Sequence, residues 1–512
     1  MRFCRIFDVF YRARWLSLPK RKTCRRFRCN TLPLTSDYGC NTLPLTSDYR
    51  CNTLPFTGYY KYNTLPNINY LKKYTMTTKK CKWTLALFAL CVAAGAVSAQ
   101  TTPQNDETAY TIIANPGEKA ATQVRINWHT DEQNTDNVCV YTRAGDTNWK
   151  RAKVVRAQSA LCTAYDSLFS KKPTGESYFE RVRFQRCTVE LDGLKPGTDY
   201  VYRVGRAGVP LDSLSAVHSF RTAPRSGKWA AGVISDYHSY LPLPKRLSSA
   251  MTMLDTLEAR NGKAFDLMLH VGDVCAWGGS YSFWKRMYQE PFFTGYLWAG
   301  VNGNHDNMDG QNRHLSNNYF RYANNNPLNG YAGEEGVCYY FMYGDALFIT
   351  LNNENMRSAE GLEAAQKWVR EVIRNHPARY VIVMEHYQWF FGETGRSSQY
   401  SRWKDLFDEC GVDLAIGANN HIYVRTNAIY QGEETDGTKG TVYVQLPSSD
   451  NERGMEMKDW TENTDLIKYR WSEGGRTVGA ILLKADKRKL HLTLYDRQGN
   501  PVDEVTVLAK RR

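Results

Sequence analysis

Two patterns of apolar and polar residues divide the chain into two regions. Between residues 108 and 224, short runs of alternating apolar and polar residues are separated by turn-forming residues. The runs span residues 124–128, 138–142, 181–191, 200–204 and 218–222. Alternation with a period of two is typical of strands with one buried face, so this region is predicted to be an all-β sandwich.

From residue 229 onwards the pattern changes, and apolar runs alternate with longer segments that are predicted helices. Residues 359–375 and 401–410 are two of these segments, and further strands are expected near 441–445, 477–484 and 490–496. Strands that alternate with helices predict an α/β domain. Residues 221–228, with a proline and a glycine, are the predicted linker, so the domains are expected at 100–226 and 227–512.

Five short polar blocks follow five apolar runs of the second region. The runs are residues 229–234, 265–271, 297–301, 380–384 and 412–416. The blocks are Asp236-Tyr237-His238, Gly272-Asp273, Gly303-Asn304-His305-Asp306, His386 and Asn419-Asn420-His421. Each block alone is typical of a turn or a helix cap. Because strand ends meet at one edge of a sheet, five such donor sets in order predict a shared metal site.

The set of blocks resembles the calcineurin-like metallophosphoesterase superfamily, whose pattern is D-x-H, G-D, G-N-H-D/E, a single H and G-H-x-H. Within it the chain is most similar to bacterial proteins related to purple acid phosphatases, which have a fibronectin type III-like domain before the catalytic one. The resemblance covers about residues 107–500. It implies an α-β-β-α sandwich and two divalent or mixed-valence ions (Fe, Zn or Mn) that activate the water attacking a phosphate ester. The segment from Leu194 to Tyr200 resembles the tyrosine corner of fibronectin domains.

The resemblance also assigns roles to residues of this chain. The first metal would be bound by Asp236, His238, Asp273 and His421. The second would be bound by Asp273, Asn304, His386 and Asn419. His305 would protonate the leaving alkoxide as general acid, and Asp306 would orient that imidazole. Substrate contacts would come from Tyr387, Tyr423 and Arg425.

Two departures from the family pattern change the expected metals. Purple acid phosphatases have a tyrosine where this chain has Ala276 and a glycine where it has His238, so an imidazole replaces the phenolate that gives the purple colour. Neutral imidazole suits zinc, iron and other first-row divalent ions. In the fifth block Ala418 and Asn419 replace the usual Gly and His. An amide oxygen is a poorer donor for such ions than imidazole, so the second metal is expected to be labile.

The charge of the chain is concentrated in its N-terminal part. The formal net charge is +14, and residues 1–99 hold 17 Lys and Arg but only three Asp and Glu, which leaves 49 residues of each sign in 100–512. No basic face for nucleic acid is therefore implied. Residues 76–99 combine a basic start, a short apolar stretch and the ending Val97-Ser98-Ala99, which predicts a signal peptide and an exported protein, periplasmic or extracellular, without a membrane anchor after cleavage.

Upstream of the predicted signal, an 11-residue unit repeats. It begins at Cys29, Cys40, Cys51 and Tyr62, and each copy continues Asn-Thr-Leu-Pro. Such a repeat lacks an amphipathic face, so residues 1–75 are interpreted as a mis-annotated upstream segment. Six cysteines follow the predicted signal, and their spacing indicates neither a metal site nor a required disulfide.

The favoured function is an exported, metal-dependent phosphoesterase that hydrolyses phosphate esters of small molecules or macromolecules, monoesters in preference. The alternative is a binding module with weakened catalysis that recognises a phosphorylated or glycosylated ligand. Asn419 favours the alternative, whereas the intact Asp273, Asn304, His305 and His386 favour the enzyme. Neither the substrate nor the oligomeric state is predicted by the residues.

Overall fold

The computed structural model describes residues 109–166, 180–240, 245–307, 318–390, 399–450 and 464–510. The predicted upstream segment 1–75 and the predicted signal peptide 76–99 lie outside the described residues. Within the described part, no helix has both the length and the hydropathy that a membrane-spanning helix needs.

The N-terminal region forms two four-stranded antiparallel sheets. Its strands are β1 (Tyr110–Pro116), β2 (Val124–Asp131), β3 (Asn137–Arg143), β4 (Lys153–Arg156), β5 (Gln158–Asp166), β6 (Glu180–Leu191), β7 (Asp199–Arg206) and β8 (His218–Arg221). The sheet orders are β1-β2-β6-β5 and β4-β3-β7-β8. Trp128, Cys139 and Tyr202 are fully buried among the apolar residues between the sheets, so the predicted sandwich is confirmed. The hydroxyl of Tyr200 accepts the backbone N–H of Lys195 at 3.0 Å, which is the contact expected of a tyrosine corner.

The second region contains fourteen strands and six α-helices among the described residues. The strands are β9 (Trp229–Ile234), β10 (Leu267–His270), β11 (Trp298–Gly300), β12 (Tyr339–Tyr343), β13 (Ala346–Thr350), β14 (Tyr380–Met384), β15 (Leu414–Gly417), β16 (Tyr423–Tyr430), β17 (Glu433–Glu434), β18 (Thr441–Gln445), β19 (Ile467–Trp471), β20 (Gly479–Ala485), β21 (Lys489–Asp496) and β22 (Pro501–Leu508). The helices are α1 (Lys245–Asn261), α2 (Tyr281–Met287), α3 (Pro291–Gly295), α4 (Asn318–Ala323), α5 (Ala359–Asn375) and α6 (Tyr400–Cys410).

These elements form two sheets covered by helices on their outer faces. One sheet has the order β11-β10-β9-β20-β21-β22, and the other has the order β12-β13-β14-β15-β18-β16-β17, with β19 beside β16. Alternate side chains of both sheets, such as Val233 and Ile382, share one core between them. Leu254 of α1 belongs to the core outside the first sheet, and Trp403 of α6 belongs to the core outside the second. The expected α-β-β-α arrangement is therefore confirmed.

The sandwich contacts the α/β region through buried polar groups. Asn325, just after α4, donates from Nδ2 to the carbonyls of Ile126 and Val189 at 3.2 and 3.1 Å. His129 of β2 lies between the hydroxyl of Tyr281 at 2.8 Å and the carbonyl of Tyr322 at 2.7 Å. These buried hydrogen bonds join the two regions directly.

Candidate metal centre

The five polar blocks follow β9, β10, β11, β14 and β15. β9, β10 and β11 are parallel neighbours in one sheet, and β14 and β15 are parallel neighbours in the other. Their carboxyl ends therefore open on one side of the molecule, as parallel strands require. Three groups of side chains there have donor atoms within 4.8 Å of one another. The groups are Asp236 with His238 and His421, His238 with Asp273 and His305, and Asp236 with Asp273 and His386.

Asp273 is the carboxylate that joins these groups. Its Oδ2 lies 3.2 Å from Nε2 of His238, and its Oδ1 lies 3.2 Å from Nε2 of His386. Oδ1 also accepts the backbone N–H of His305 at 2.8 Å, which fixes the carboxylate between the two imidazoles. Nε2 of His386 lies 3.2 Å from Oδ1 of Asn304. The structure thus places the expected ligands of both cations on opposite oxygens of one buried carboxylate.

The remaining ligands expected at the first site lie around Asp236. Its Oδ1 is 3.3 Å from Nε2 of His421, and its Oδ2 accepts the hydroxyl of Ser235 at 2.6 Å. The rings of His238 and His421 are nearly perpendicular, with centroids 5.4 Å apart. Asp236 and His238 are completely buried, so their polar atoms face this cluster and not solvent.

Backbone carbonyls fix the orientation of three imidazoles. Nδ1–H of His238 donates to the carbonyl of Asp236 at 2.8 Å. In the same way, Nδ1–H of His386 donates to the carbonyl of Val271 at 2.7 Å, and Nδ1–H of His305 donates to that of Ala276 at 2.8 Å. A neutral imidazole held in this way presents the lone pair of Nε2, which is how metal-binding histidines are oriented.

The charges of the cluster shift its pKa values strongly. Burial alone would raise the pKa of Asp273, but His386 and His238 outweigh burial and lower it well below its usual range. Burial lowers the pKa of His238 to about 4. Burial also disfavours charge on His386, yet the carboxylates of Asp273 and Asp236 prevail and raise its pKa to about 10. The pKa values of the two histidines differ because His386 faces two carboxylates. The site around His386 is therefore one where positive charge is stabilised.

The donor set fits a pair of cations. Oδ1 of Asp236 is completely buried, and Nε2 of His421, at 3.3 Å, and of His386, at 4.0 Å, both face it. In the neutral tautomer, Nε2 of His238 would face a carboxylate oxygen with two lone pairs opposed, which is repulsive unless a cation lies between them. Carboxylate, amide and imidazole donors are the ligands of first-row divalent ions. The residues present therefore suit the metals that the sequence implies.

Two glycines allow the blocks to approach so closely. A Cβ at Gly303 would lie 2.2 Å from both the backbone nitrogen and Oδ1 of Asp273. Gly272 has φ +85°, and a Cβ there would lie 2.5 Å from Nδ1 of His386. Any larger residue at either position would push apart the strands' ends that carry the donors.

Asn419 lies at the same edge, next to ligands of both sites. Its backbone N–H donates to Oδ2 of Asp236 at 3.3 Å, and its Nδ2 donates to Oε1 of Gln388 at 2.6 Å. The neighbouring Ala418 N–H donates to the carbonyl of His386 at 2.9 Å. The structure thus places the backbone of Asn419 beside the clustered donors, and its role as a ligand of the second metal stays a prediction.

Asp306 does not hold the imidazole of His305 as expected. Its carboxylate instead accepts the backbone N–H groups of Cys275 at 2.9 Å and of Gly303 at 2.9 Å, and His305 is oriented by a carbonyl. Burial and the charge of Asp273 raise the pKa of Asp306 to about 7. Asp306 therefore ties together the two loops that carry Asp273 and Asn304.

The polar groups of all three expected substrate contacts are bound to other side chains. Arg425 binds both carboxylate oxygens of Asp503 on β22, at 2.7 and 3.0 Å, and the hydroxyl of Tyr423 donates to the same carboxylate at 3.0 Å. Both side chains thus brace β16 against β22 and are not among the clustered donors. Tyr387 follows His386, and its hydroxyl contacts Glu354 and Arg357.

Sequence reasoning missed three residues that support the centre. Oδ1 of Asn353 accepts the backbone N–H groups of His386 and Tyr387, at 2.8 and 2.9 Å. The hydroxyl of Ser448 donates to the carbonyl of Asp236 at 2.8 Å, and Gln388 holds Asn419. Asn353 follows β13 in a polar run, which is the signal that found the other blocks. Ser448 and Gln388 carry no comparable signal.

Comparisons with known proteins agree with this arrangement. The family described as Purple acid Phosphatase, N-terminal domain matches residues 110–222, and the family described as Calcineurin-like phosphoesterase matches residues 231–423. The chain is 23% identical to Purple acid phosphatase 15 of Arabidopsis thaliana over 303 residues, which are 53% of this chain and 54% of that protein. It is 22% identical to Purple acid phosphatase 21 of the same plant over 365 residues, 67% of this chain and 77% of the relative. The chain thus spans about half the length of the first of these relatives.

A solved structure shows the same fold. The purple acid phosphatase PPD1 from yellow lupin (Lupinus luteus) seeds has a TM-score of 0.58 and 16% identity, covering 79% of this chain and 75% of that one. These relatives are plant proteins, so the closeness to bacterial proteins and the likeness to fibronectin type III domains stay predictions. The chain therefore has a purple acid phosphatase N-terminal domain followed by a calcineurin-like phosphoesterase domain, which is the domain order of the purple acid phosphatases.

Proposed function

We propose that this protein is an exported, metal-dependent phosphoesterase that hydrolyses phosphate esters, monoesters in preference. The observation that carries the proposal is the position of Asp273, whose two oxygens lie 3.2 Å from Nε2 of His238 and of His386. One carboxylate between two donor groups is the arrangement that holds two cations close together. When bound, such cations lower the pKa of a water and neutralise the charge that develops on the phosphoryl oxygens.

The chain's own residues divide the remaining work. Asp236, His238, Asp273 and His421 would hold the first cation. Asp273, Asn304, His386 and Asn419 would hold the second, more weakly because two of its donors are amides. Strand ends and backbone carbonyls keep these donors in place before any ligand arrives, which reduces the cost of assembling the site.

His305 would supply the proton for the leaving group. Its Nδ1–H is taken by the carbonyl of Ala276, so Nε2 is the atom that would hold and donate the proton. The ring is half-buried and lies 4.8 Å, centroid to centroid, from that of His238 at an angle of 87°. An acid beside the cluster can protonate an alkoxide as the ester bond breaks. Since a ring nitrogen of His305 also lies within 4.8 Å of donor atoms of Asp273 and His238, metal content decides between this role and a ligand role.

Hydrolysis of paired chromogenic mono- and diesters tests the proposal. The purified protein is stripped of metal and reloaded separately with Fe, Zn or Mn, beside Asp273→Asn as the matched negative variant. We expect turnover of the monoester with at least one ion and none by the variant. Absence of turnover with every ion would contradict the proposal and favour the binding module.

Export is tested separately on the native protein. The apolar stretch that ends at Val97-Ser98-Ala99 predicts cleavage before Gln100. N-terminal sequencing of material from outside the cytoplasm should begin at Gln100. Peptides from residues 1–75 in the native protein would contradict both the predicted signal and the interpretation of the upstream segment.

A further inference from the structure

The side-chain amide of Asn419 is held by a second amide, that of Gln388. Nδ2 of Asn419 donates to Oε1 of Gln388 at 2.6 Å, and the side chain of Gln388 is almost completely buried. When the nitrogen of an amide donates to a fixed acceptor, the oxygen of that amide stays available to another partner. Without that acceptor the amide could turn by half a rotation and present nitrogen, which no cation binds.

The backbone at Asn419 is fixed between the two groups of donors. Its N–H donates to Asp236, and the N–H of Ala418 donates to the carbonyl of His386. Asn419 has φ +70°, in the left-handed region that asparagine adopts far more readily than most residues. The side chain therefore starts from a defined point, and its hydrogen bond to Gln388 sets the direction of the terminal amide.

We propose that Gln388 is a positioning residue that turns Oδ1 of Asn419 to the second cation and so makes this an oxygen-rich site for a hard ion such as Mn²⁺ or Mg²⁺. This inference rests on the proposed function. The second site then has three oxygen donors, from Asp273, Asn304 and Asn419, and one imidazole, His386. The first site has two carboxylates and two imidazoles.

The difference between the donor sets predicts different metal preferences at the two sites. Carboxylate and carbonyl oxygens suit magnesium and manganese, whereas imidazole suits zinc, iron and copper. Zinc binds more tightly than manganese to most mixed donor sets, so the quantity to measure at each site is the ratio of the Zn²⁺ affinity to the Mn²⁺ affinity. The preference for Zn²⁺ over Mn²⁺ is smaller at the second site than at the first, and this centre takes two different ions when both are supplied.

Metal binding by the full chain tests the role of Gln388. Mn²⁺ and Zn²⁺ affinities are measured by titration calorimetry and by the metal content after dialysis, for the wild type, Gln388→Met and Gln388→Glu. Met has a similar length but no acceptor, whereas Glu keeps the acceptor. We expect Gln388→Met to weaken the second Mn²⁺ by about 10–100-fold, the range found when partners of metal ligands are removed. Gln388→Glu should bind it at least as tightly as the wild type.

A second background separates orientation from general damage to the fold. In Asn419→Asp both terminal atoms are oxygens, so the orientation of the group no longer matters. Adding Gln388→Met to Asn419→Asp should then change the second Mn²⁺ affinity by less than about threefold, although the same substitution is costly beside asparagine. An equal loss in both backgrounds would show that Gln388 acts only by packing and would overturn the proposal.

Asn419→His completes the test by restoring an imidazole at this position. We expect the preference for Zn²⁺ over Mn²⁺ at the second site to rise by at least tenfold. An unchanged ratio would show that Asn419 is not a donor and would overturn the inference alone, provided that the wild type binds two ions and hydrolyses esters. A wild type that binds no second ion and has no turnover would instead defeat the proposed function.

Discussion

Gly303 lies where the loop after β11 passes closest to the bridging carboxylate, so Gly303→Ala is a direct test of the centre's geometry. The added Cβ would be 2.2 Å from both the backbone nitrogen and Oδ1 of Asp273, whereas ordinary contacts begin at 3.4 Å. The Gly303 N–H also donates to Asp306 at 2.9 Å, which opposes movement of this loop. The substitution must therefore move Asp273 or the loop by roughly 1 Å, a misplacement that can cost about 100-fold in rate.

We expect Gly303→Ala to impair metal binding and catalysis more than it impairs folding. A 100-fold fall in kcat/KM corresponds to about 2.7 kcal/mol of transition-state stabilisation. Overpacking a buried position by one methyl group costs about 1–3 kcal/mol of folding free energy, which a two-domain protein of this size can tolerate. We expect Gly303→Ala to fold, to lose at least one of its two metal ions and to hydrolyse esters about 100-fold more slowly.

Gly295 at the end of α3 offers a matched control. A Cβ at this glycine would meet no atom within 4 Å, so Gly295→Ala adds the same methyl group without a clash. Both variants are compared by metal content, by steady-state hydrolysis of a chromogenic monoester and by thermal unfolding. Wild-type metal content and rate in Gly303→Ala would refute the view that these two loops set the spacing of the donors.

Four further outcomes follow from the same contacts. Asp273→Asn should lower metal content at both sites and kcat/KM by at least about 1,000-fold, since removing one partner of a buried charge cluster costs about 3–5 kcal/mol. His305→Gln should retain both ions, yet it should slow the hydrolysis of alkyl phosphates about 100-fold more than that of nitrophenyl phosphates, because nitrophenolate leaves without a proton. Loss of an ion in this variant would instead show that His305 is a metal ligand. Because the pKa of His386 is raised to about 10, filling the second site at pH 7 should release about one proton, seen calorimetrically as a dependence on buffer ionisation enthalpy. Burial lowers the pKa of His129 to about 3, so the folded state resists protonation that the unfolded chain accepts below about pH 6.5. Urea unfolding should therefore show a loss of stability between pH 7 and 5 that is about 2 kcal/mol smaller in His129→Gln than in the wild type and unchanged in the His491→Gln control.

The elements that carry the site could be predicted because their signals are local. β9 and β14 have the predicted bounds, and α5 spans the predicted 359–375. α6 begins one residue before the predicted start, at Tyr400. Buried parallel strands are unbroken apolar runs, and glycine and polar residues mark their ends. Both the strand and its carboxyl end can therefore be predicted from adjacent residues.

The partners of the site residues could not be predicted in the same way. Tyr423 and Arg425 stand two and four residues after His421, which suggested substrate contacts, but the bulge and pairing of β16 turn both towards Asp503, 78 residues away from Arg425. Asp306 follows His305 directly, yet the turn sends its carboxylate back to the loop of Asp273. Adjacent positions in a turn point in different directions, so sequence proximity to a ligand says little about contact with it.

The backbone of the ligands gives the reason why the site depends on the whole fold. Five of the expected ligands have positive φ, which side chains other than glycine adopt at a cost of about 1–3 kcal/mol each. These residues are Asp236 (50°), His238 (45°), Asp273 (51°), Asn419 (70°) and His421 (57°). Short isolated loops would relax from such conformations, so the packed sheets and the hydrogen bonds of Ser448 and Asp306 must impose them. The donors are therefore held in position by folding and not gathered by the cation, and metal removal should leave the two sheets and their loops largely unchanged.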